Sequence, residues 1–303
     1  MLQQFHVQLD ELHGREEVNS FFNLLIEHYL DYKRIKLVLN PELEITRVES
    51  KLLLSALEDL KSHKPVQYII GETEFYGLSF KVNKNVLIPR PETEELVEDV
   101  LMSLKQRVLQ NENFRVLDIG TGSGCIAIAL AKYLPKAEVF AIDISEDAIK
   151  VAVENANLND IAVDFFQYDI LNNRHAHFLS SDNATSHLNR ERRELQIDKF
   201  DCIVSNPPYV RQQEKLKMKH NVLDSEPHLA LFVKDENPLQ FYEAICEFCK
   251  KYLKVGGSLN LEINEYLGPE MIGLLNDYEF EKIELQKDIF GKDRMVKGMY
   301  RPK

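Results

Sequence analysis

The sequence predicts an α/β fold in which a parallel sheet flanked by helices follows a small N-terminal helical bundle and a β-hairpin linker. Three observations support this prediction. Helical spacing of apolar residues fills the first part of the chain, a glycine-punctuated stretch of β-prone residues follows, and short apolar strands then alternate with helical segments. We expect a helical docking domain at 1–64, a hairpin linker at 65–91 and a larger domain at 92–303.

The composition is that of a folded protein with no general affinity for polyanions. Of the 303 residues, 44% are hydrophobic and 28% are charged, and the net charge is −12. Such a chain lacks the surplus of lysine and arginine that displaces counterions from phosphate, so we expect no direct nucleic-acid partner. Because no apolar run approaches about 18 residues and the N-terminus does not resemble a signal peptide, we expect no membrane contact and a cytoplasmic location.

The four cysteines are scattered, which is typical of a reducing compartment rather than of a disulfide framework. Cys246 and Cys249 form a C-x-x-C pair, but they lie inside a helical pattern without a second pair or a histidine cluster nearby. Core packing is therefore the favoured interpretation, and we expect no metal site.

The N-terminal region contains two clear helix signals. Apolar residues from Val18 to Leu30 follow helical spacing, and the T-R-V-E pattern from Thr46 to Glu49 predicts a capping box that begins a second helix ending near Ser62. Beyond this region, glycine-punctuated aromatic residues predict the hairpin of the linker. A proline-rich stretch then leads into a helix predicted at 92–108.

The larger domain begins with a strand, a glycine loop and a helix. A strand predicted at 115–119 runs into Gly120, Thr121, Gly122, Ser123 and Gly124, and a second strand at 138–143 ends in Asp143. Glycines allow the backbone to approach a ligand closely, and an acid at the end of the second strand can accept hydrogen bonds from ribose hydroxyls. Together these features indicate an adenosine-type ligand.

The spacing of the glycines separates two classes of adenosine ligand. The dinucleotide fingerprint G-x-G-x-x-G would require glycine or alanine at position 125, where this chain has Cys125. The observed G-x-G-x-G resembles the Rossmann-like class I methyltransferases that bind S-adenosyl-L-methionine. In that fold Asp169 and Ile170, which follow a strand predicted at 163–167, are placed to contact adenine.

A fourth predicted strand, at 200–205, runs directly into Asn206, Pro207, Pro208 and Tyr209. The prolines fix the backbone, so the Asn206 amide and the Pro207 carbonyl can act as preset acceptors for N–H groups, while Tyr209 can cover a flat group. This arrangement suits a planar nitrogen nucleophile. Glutamine amides and the exocyclic amines of adenine and cytosine all belong to that class.

Four segments resemble the HemK/PrmC family of peptide chain release factor glutamine N(5)-methyltransferases. They are QYIIGE at 67–72, IPRPETE at 88–94, DIGTGSG at 118–124 together with Asp143, and NPPY at 206–209. The resemblance implies transfer of a methyl group from S-adenosyl-L-methionine to the glutamine of the Gly-Gly-Gln motif in release factors. It also implies that Asn206 and Pro207 hold this glutamine, that Tyr209 packs beside it, and that the N-terminal helices help to engage the release factor.

Three alternatives remain open. A sister enzyme would methylate a glutamine of a ribosomal protein, a nucleic-acid adenine amino-methyltransferase shares the catalytic turn, and a non-enzymatic adenosine-binding module shares the glycine loop. The chain departs from the family at a long polar insertion, 172–198, which we predict to be a solvated loop despite His175, His177 and His187. A second departure is D-E-N at 235–237, where a glycine-containing turn is expected.

Overall fold

The computed structural model describes residues 1–40, 43–110, 112–172, 174–180, 199–217 and 220–303. Two compact units are present. One comprises residues 1–72 with the described part of 218–226, and the other comprises residues 73–217 and 227–303. Within the described ranges, no helix is both long and apolar enough to cross a membrane.

The elements are numbered in chain order. The helices are α1 (Leu2–His13), α2 (Arg15–Leu30), α3 (Arg34–Leu39), α4 (Arg47–Lys61), α5 (Val66–Ile70), α6 (Pro91–Leu109), α7 (Cys125–Tyr133), α8 (Glu146–Leu158), α9 (His220–Ser225), α10 (His228–Leu231), α11 (Gln240–Tyr252) and α12 (Gly268–Asp277), with a 3₁₀ helix at Gln212–Lys217. The strands are β1 (Glu72–Phe75), β2 (Leu78–Lys81), β3 (Phe114–Ile119), β4 (Ala137–Asp143), β5 (Asp164–Asp169), β6 (Arg174–Ser180), β7 (Phe200–Ser205), β8 (Val210–Arg211), β9 (Phe232–Val233), β10 (Leu253–Glu262), β11 (Phe280–Lys287) and β12 (Asp293–Tyr300).

The first unit is helical, as the sequence predicted. Helix α4 begins at the predicted capping box, where Glu49 N donates to Thr46 Oγ1 (3.2 Å) and Thr46 N donates to Glu49 Oε2 (2.6 Å). Helix α1 was not predicted. Only Phe5 and Leu9 of this helix are buried, and the exposure of Val7 obscures the helical period in the sequence.

The predicted hairpin is formed by β1 and β2, whereas residues 66–70 of the predicted linker form the short helix α5. The buried aromatic residues of the hairpin, Phe75 and Phe80, pack edge to face with ring centroids 6.0 Å apart. The turn between them uses left-handed backbone at Tyr76 (φ 50°) and Gly77 (φ 72°), which is the geometry of a two-residue hairpin turn.

The described residues of the second unit form an eight-stranded sheet in the order β11-β12-β10-β7-β3-β4-β5-β6. The strands from β10 to β5 are parallel, whereas β12 and β6 pair antiparallel with their neighbours. Helices α6, α7 and α8 pack on one face, and α11 and α12 pack on the other. This is the predicted α/β arrangement. Cys246 and Cys249 are buried in the core of the α11 face, which confirms their interpretation as packing residues.

The polar insertion begins with a strand and not with the loop predicted for 172–198. Residues 174–180 form β6, whose backbone pairs with β5 and thereby satisfies the N–H and C=O groups that an open sheet edge leaves unpaired. His175 and His177 belong to this strand. The predicted loop conformation of residues 181–198, including His187, lies outside the described residues.

Gly124, at the start of α7, and Gly273, inside α12, differ in the space around them and so allow a test of packing. Gly124 caps α7 with φ 83°, and an added Cβ would lie 2.9 Å from Ile128 Cδ1 and 3.1 Å from Ala152 Cβ. A Cβ on Gly273, inside α12, would meet no atom within 4 Å.

We therefore expect Gly124→Ala to lower the free energy of unfolding by about 1–3 kcal/mol through overpacking and backbone strain. Gly273→Ala should raise it by about 0.5–1 kcal/mol because alanine loses less backbone entropy in a helix. Thermal and urea unfolding of the two variants check this difference. Similar stabilities for both variants would contradict the packing account.

Candidate active site

A cavity at the carboxyl ends of β3, β4, β5 and β7 brings together most of the residues predicted to form the site. Its lining includes Gly120, Thr121, Gly122, Ser123, Asp143, Asp169, Ile170, Asn206, Pro207 and Pro208. Two predicted residues, Gly124 and Tyr209, are not part of this lining, although both lie in the segments that form it. In open α/β sheets the carboxyl edge is where ligands bind.

The glycine loop is held against the end of β4 by its own backbone. Gly120 N and Thr121 N both donate to the carbonyl oxygen of Ile142, at 2.8 and 3.0 Å. Gly120 and Gly122 have positive φ angles of 74° and 54°, and a Cβ on either would meet no atom within 4 Å. The loop therefore presents open backbone to the cavity, whereas Gly124 leaves room for helix packing.

Asp143 connects the glycine loop with the start of α8. Its Oδ2 accepts from Gly122 N and its Oδ1 accepts from Ser145 N, each at 2.9 Å. Burial raises the pKa of this carboxyl, and the backbone N–H donors oppose that effect. The two oxygens of a carboxylate offer about four acceptor sites, and Ile144 N–H is a third backbone donor to Asp143, so capacity for about one further donor is left.

The carboxylate of Asp169 is held in a tight turn at the end of β5. Its Oδ1 accepts from Leu171 N (3.0 Å) and Asn172 N (3.2 Å), and its Oδ2 accepts from Asn172 Nδ2 (2.7 Å). With Ile170 beside it on the cavity wall, this acid lies at the end of β5, the third strand from β7 in the sheet.

The turn at 206–209 is anchored at both ends. Immediately before it, Ser205 Oγ donates to the carbonyl oxygen of Ile119 at 2.6 Å, which ties the end of β7 to the end of β3. At its other end, Asn264 Nδ2 donates to the carbonyl oxygen of Tyr209 at 3.1 Å. Together with the two prolines, these bonds fix the backbone of the turn.

Sequence reasoning did not assign roles to two buried residues that contact the turn. Thr93, at the start of α6, accepts from Asn206 Nδ2 (3.1 Å) and donates to Glu262 Oε2 (2.7 Å). The hydroxyl of Tyr209 donates to Glu262 Oε1 (2.9 Å). Burial raises the pKa of Glu262 and holds the pKa of Tyr209 well above its ordinary value. Thr93 lies in the segment at 88–94 that carries the family resemblance, but its separation from Glu262 in the sequence gives no sign that the two residues meet.

Asn155 on α8 is a further residue that sequence reasoning missed. It is fully buried, and its amide pairs with the Lys81 backbone by accepting from Lys81 N (2.7 Å) and donating to Lys81 O (3.0 Å). Its Nδ2 also donates to the carbonyl oxygen of Ser123 at 2.9 Å. One side chain thus fixes the end of the hairpin and the glycine loop together.

Asp118, at the end of β3, is fully buried beneath the loop, and its Oδ2 accepts from Thr121 Oγ1 at 2.6 Å. Burial raises the pKa of Asp118 to about 7, although the Thr121 hydroxyl favours the charged form. From about pH 4 to pH 7 the folded protein keeps a proton on Asp118 that the unfolded chain, with an ordinary pKa of 3.8, has released. The free energy of unfolding therefore falls as the pH rises through this range.

Asp118→Asn removes this ionisation while keeping an acceptor for Thr121. We expect the variant to gain stability relative to the original protein as the pH rises from about 5 to about 8. Thermal unfolding midpoints of both proteins at the two pH values, without added ligand, check this. A difference in midpoint that is the same at both pH values would show that Asp118 does not titrate in this range.

Comparison with known proteins identifies the relatives of this chain. A family model described as the PrmC N-terminal domain matches residues 1–71, and one described as a methyltransferase domain matches residues 110–288. A release factor glutamine methyltransferase of Flavobacterium psychrophilum is 46% identical over 98% of this chain and 97% of its own length. Enzymes of the same name from Bacteroides thetaiotaomicron (39% identical, 95% of each chain) and Streptococcus pneumoniae (41% identical, 84% of this chain and 81% of the relative) are also similar.

These matches span almost the whole chain and include both units of the structure. They confirm the family that the four sequence segments indicated. Most of the residues that line the cavity lie in the part of the chain that matches a methyltransferase domain. The chain belongs to the release factor glutamine methyltransferase family.

Proposed function

We propose that the protein methylates the side-chain amide nitrogen of the glutamine in the Gly-Gly-Gln motif of peptide chain release factors, with S-adenosyl-L-methionine as the methyl donor. One observation carries this proposal. Asn206, Pro207 and Pro208 line the same cavity as the glycine loop and Asp143, so an acceptor of N–H groups lies beside a site suited to an adenosine ligand.

The residues of the cavity fit S-adenosyl-L-methionine. Open space over Gly120 and Gly122 leaves room for close approach of the ligand, and Asp143 retains acceptor capacity for a ribose hydroxyl beside its backbone donors. We assign Asp169 and Ile170 to the adenine end of the site, and residues 120–124 to the end that faces the methionine part. The bound cofactor supplies a methyl group on a positively charged sulfur, which is electrophilic enough to react with a weak nucleophile.

The protein's task is to aim an amide nitrogen, which is a poor nucleophile. Asn206 Oδ1 and the Pro207 carbonyl oxygen accept the two N–H groups of the target amide, and the rigid turn fixes the direction of the nitrogen lone pair. As the nitrogen becomes four-bonded it gains positive charge, and these same oxygens stabilise that charge. As the bond from nitrogen to the methyl carbon forms, the bond from that carbon to sulfur breaks and its electron pair stays on sulfur. The N–H protons become acidic only then, so one of them is lost to solvent afterwards and no base has to act first.

The choice of substrate rests on the relatives and on charge. The similar proteins from three bacteria carry the name release factor glutamine methyltransferase, and the net charge of −12 is unfavourable for a polyanionic substrate. We assign the release-factor docking role to the helical domain at 1–64, with the linker at 65–91 and the catalytic domain at 92–303. Release factors act in translation, so we place the enzyme in the cytoplasm. A ribosomal-protein glutamine is the second candidate because it offers the same amide.

Asp143→Ala should weaken binding of S-adenosyl-L-methionine by about 1.5–3 kcal/mol for each charged hydrogen bond that is lost. Asp147→Ala is a matched control, because Asp147 is an exposed acid on the following helix whose partner is Lys150. Isothermal calorimetry on both variants measures the effect. If both bind the cofactor as tightly as the unmodified protein, the assignment of Asp143 to the ribose is wrong.

The reaction is tested by transfer of labelled methyl groups to a purified release factor, and to the same factor with its Gly-Gly-Gln glutamine changed to alanine. We expect label only in the first. Asn206→Ala should lower turnover by roughly 10²–10³-fold, by analogy with loss of one preorganised partner of a transition state, and should weaken cofactor binding far less.

Two results would redirect the proposal. Equal labelling of both release factors would place the modified residue elsewhere. Labelling of ribosomal protein or of duplex DNA, with none in the release factor, would mean that the cavity performs the proposed chemistry on another substrate.

A further inference from the structure

A chain of hydrogen bonds with a buried centre runs from the turn at 206–209 to the end of β10. Asn206 Nδ2 donates to Thr93 Oγ1, Thr93 donates to Glu262 Oε2, and the other oxygen of Glu262 accepts from the Tyr209 hydroxyl. Thr93 is 3% exposed and Glu262 is 1% exposed, so water has little access to replace either partner. The two ends of the 206–209 turn are thus joined through one carboxyl group.

The direction of each hydrogen bond follows from the carboxylate at the centre of the chain. A carboxylate has no proton to donate, so Thr93 and Tyr209 must both donate to Glu262. A hydroxyl has a single proton, and Thr93, having given it to Glu262, can only accept from Asn206. The amide of Asn206 must therefore turn its nitrogen toward Thr93. In the described part of the chain, no residue donates to Asn206 Oδ1.

We propose that Thr93 and Glu262 are positioning residues that select the orientation of the Asn206 amide and so keep Oδ1 as the acceptor for the substrate. This inference rests on the proposed function, in which Oδ1 accepts an N–H of the target amide. The two orientations of a primary amide fill almost the same volume, so packing alone does not choose between them. A reversed amide would present N–H groups to the substrate nitrogen, and that nitrogen would then lose one of its two acceptors.

The charge of Glu262 controls this selection. A protonated Glu262 could donate to Thr93, whose own proton would then turn to Asn206 and favour the reversed amide. Burial raises the pKa of Glu262, whereas its hydrogen bonds and Arg294 on β12 lower it and Glu92 on α6 raises it. The other titratable groups that interact with this carboxyl are Tyr209, Tyr242 on α11 and Cys125 on α7. Turnover should therefore fall as the pH drops through the raised pKa of Glu262.

Three variants test the proposal. Thr93→Val keeps the shape of the side chain and removes the hydroxyl, Thr93→Ser restores the hydroxyl, and Glu262→Gln removes the charge. We expect Thr93→Val to lower kcat by roughly 10- to 100-fold, the range typical for loss of a group that orients a catalytic ligand. KM and Kd for S-adenosyl-L-methionine should change by less than about threefold. Thr93→Ser should recover most of the lost rate.

Glu262→Gln should lower kcat and should also abolish the acid-side fall in the pH profile of turnover, because its amide does not titrate in that range. A folded Thr93→Val protein with kcat within about twofold of the original would overturn the proposal. If Thr93→Val does not fold, Glu262→Gln tests the proposal in its place. An unchanged kcat and an unchanged pH profile in Glu262→Gln would likewise overturn the proposal.

A measurement that does not depend on turnover separates this inference from the proposed function. The side-chain amide of Asn206, labelled with ¹⁵N, should show slow hydrogen exchange in the unmodified protein and in Thr93→Ser, and faster exchange in Thr93→Val. Equal exchange in all three proteins would refute the positioning role. Failure of the unmodified enzyme to label any release factor would refute the proposed substrate. The hydrogen-exchange rates would still show whether Thr93 holds the Asn206 amide.

Discussion

Parallel pairing of β3 with β4 on one side and with β7 on the other is the constraint that assembles this site. The pairing places Ile119 opposite Ile142 and opposite Ser205, so the three strands end at the same level. Each strand continues directly into a residue or loop of the cavity. Parallel strands are connected through crossover helices on the faces of the sheet. Residues that are distant in sequence but follow the carboxyl ends of these strands therefore lie together along one edge. Where the regular backbone pairing of β3 and β7 stops, the Ser205 hydroxyl donates a hydrogen bond to the Ile119 carbonyl oxygen and keeps the ends of the two strands together.

Features with a local pattern could be predicted from the sequence. The capping box at Thr46, the hairpin, the strand and glycine loop before α7, and the strand before Asn206 all depend on residues within a few positions of one another. Helix α1 and strand β6 were missed because one exposes apolar residues and the other is a polar strand that pairs at the sheet edge. The glycine pattern also did not distinguish Gly120, which faces open space, from Gly124, which leaves room for Ile128 and Ala152.

The contacts that fix the catalytic turn could not be predicted in the same way. Thr93 meets Asn206 across 113 positions and Glu262 across 169. No helical period, motif spacing or capping pattern in the sequence indicates either pair. The contacts form only when α6 packs beside β10. Asn155 is similar, since its bonds to Lys81 and Ser123 join three elements. A motif identifies which residues perform the chemistry, whereas the packed fold determines which residues hold them in place.

Three acids lie at or near the cavity, and two of them, Asp118 and Glu262, are buried. Burial raises the pKa of Asp118, Asp143 and Glu262, so the charged form of each is less stable in the folded protein than it would be in water. Such groups favour a positively charged ligand such as a sulfonium. A carboxylate in direct contact with the target amide could take its proton or bind the cofactor's charge in place of the nitrogen. In the proposed mechanism the acceptor at the turn is the neutral amide of Asn206, and the Thr93 hydroxyl lies between that amide and Glu262. The carboxylate can therefore impose an orientation on the amide without contacting the reacting atoms, because one intervening hydroxyl transmits the direction of the hydrogen bond.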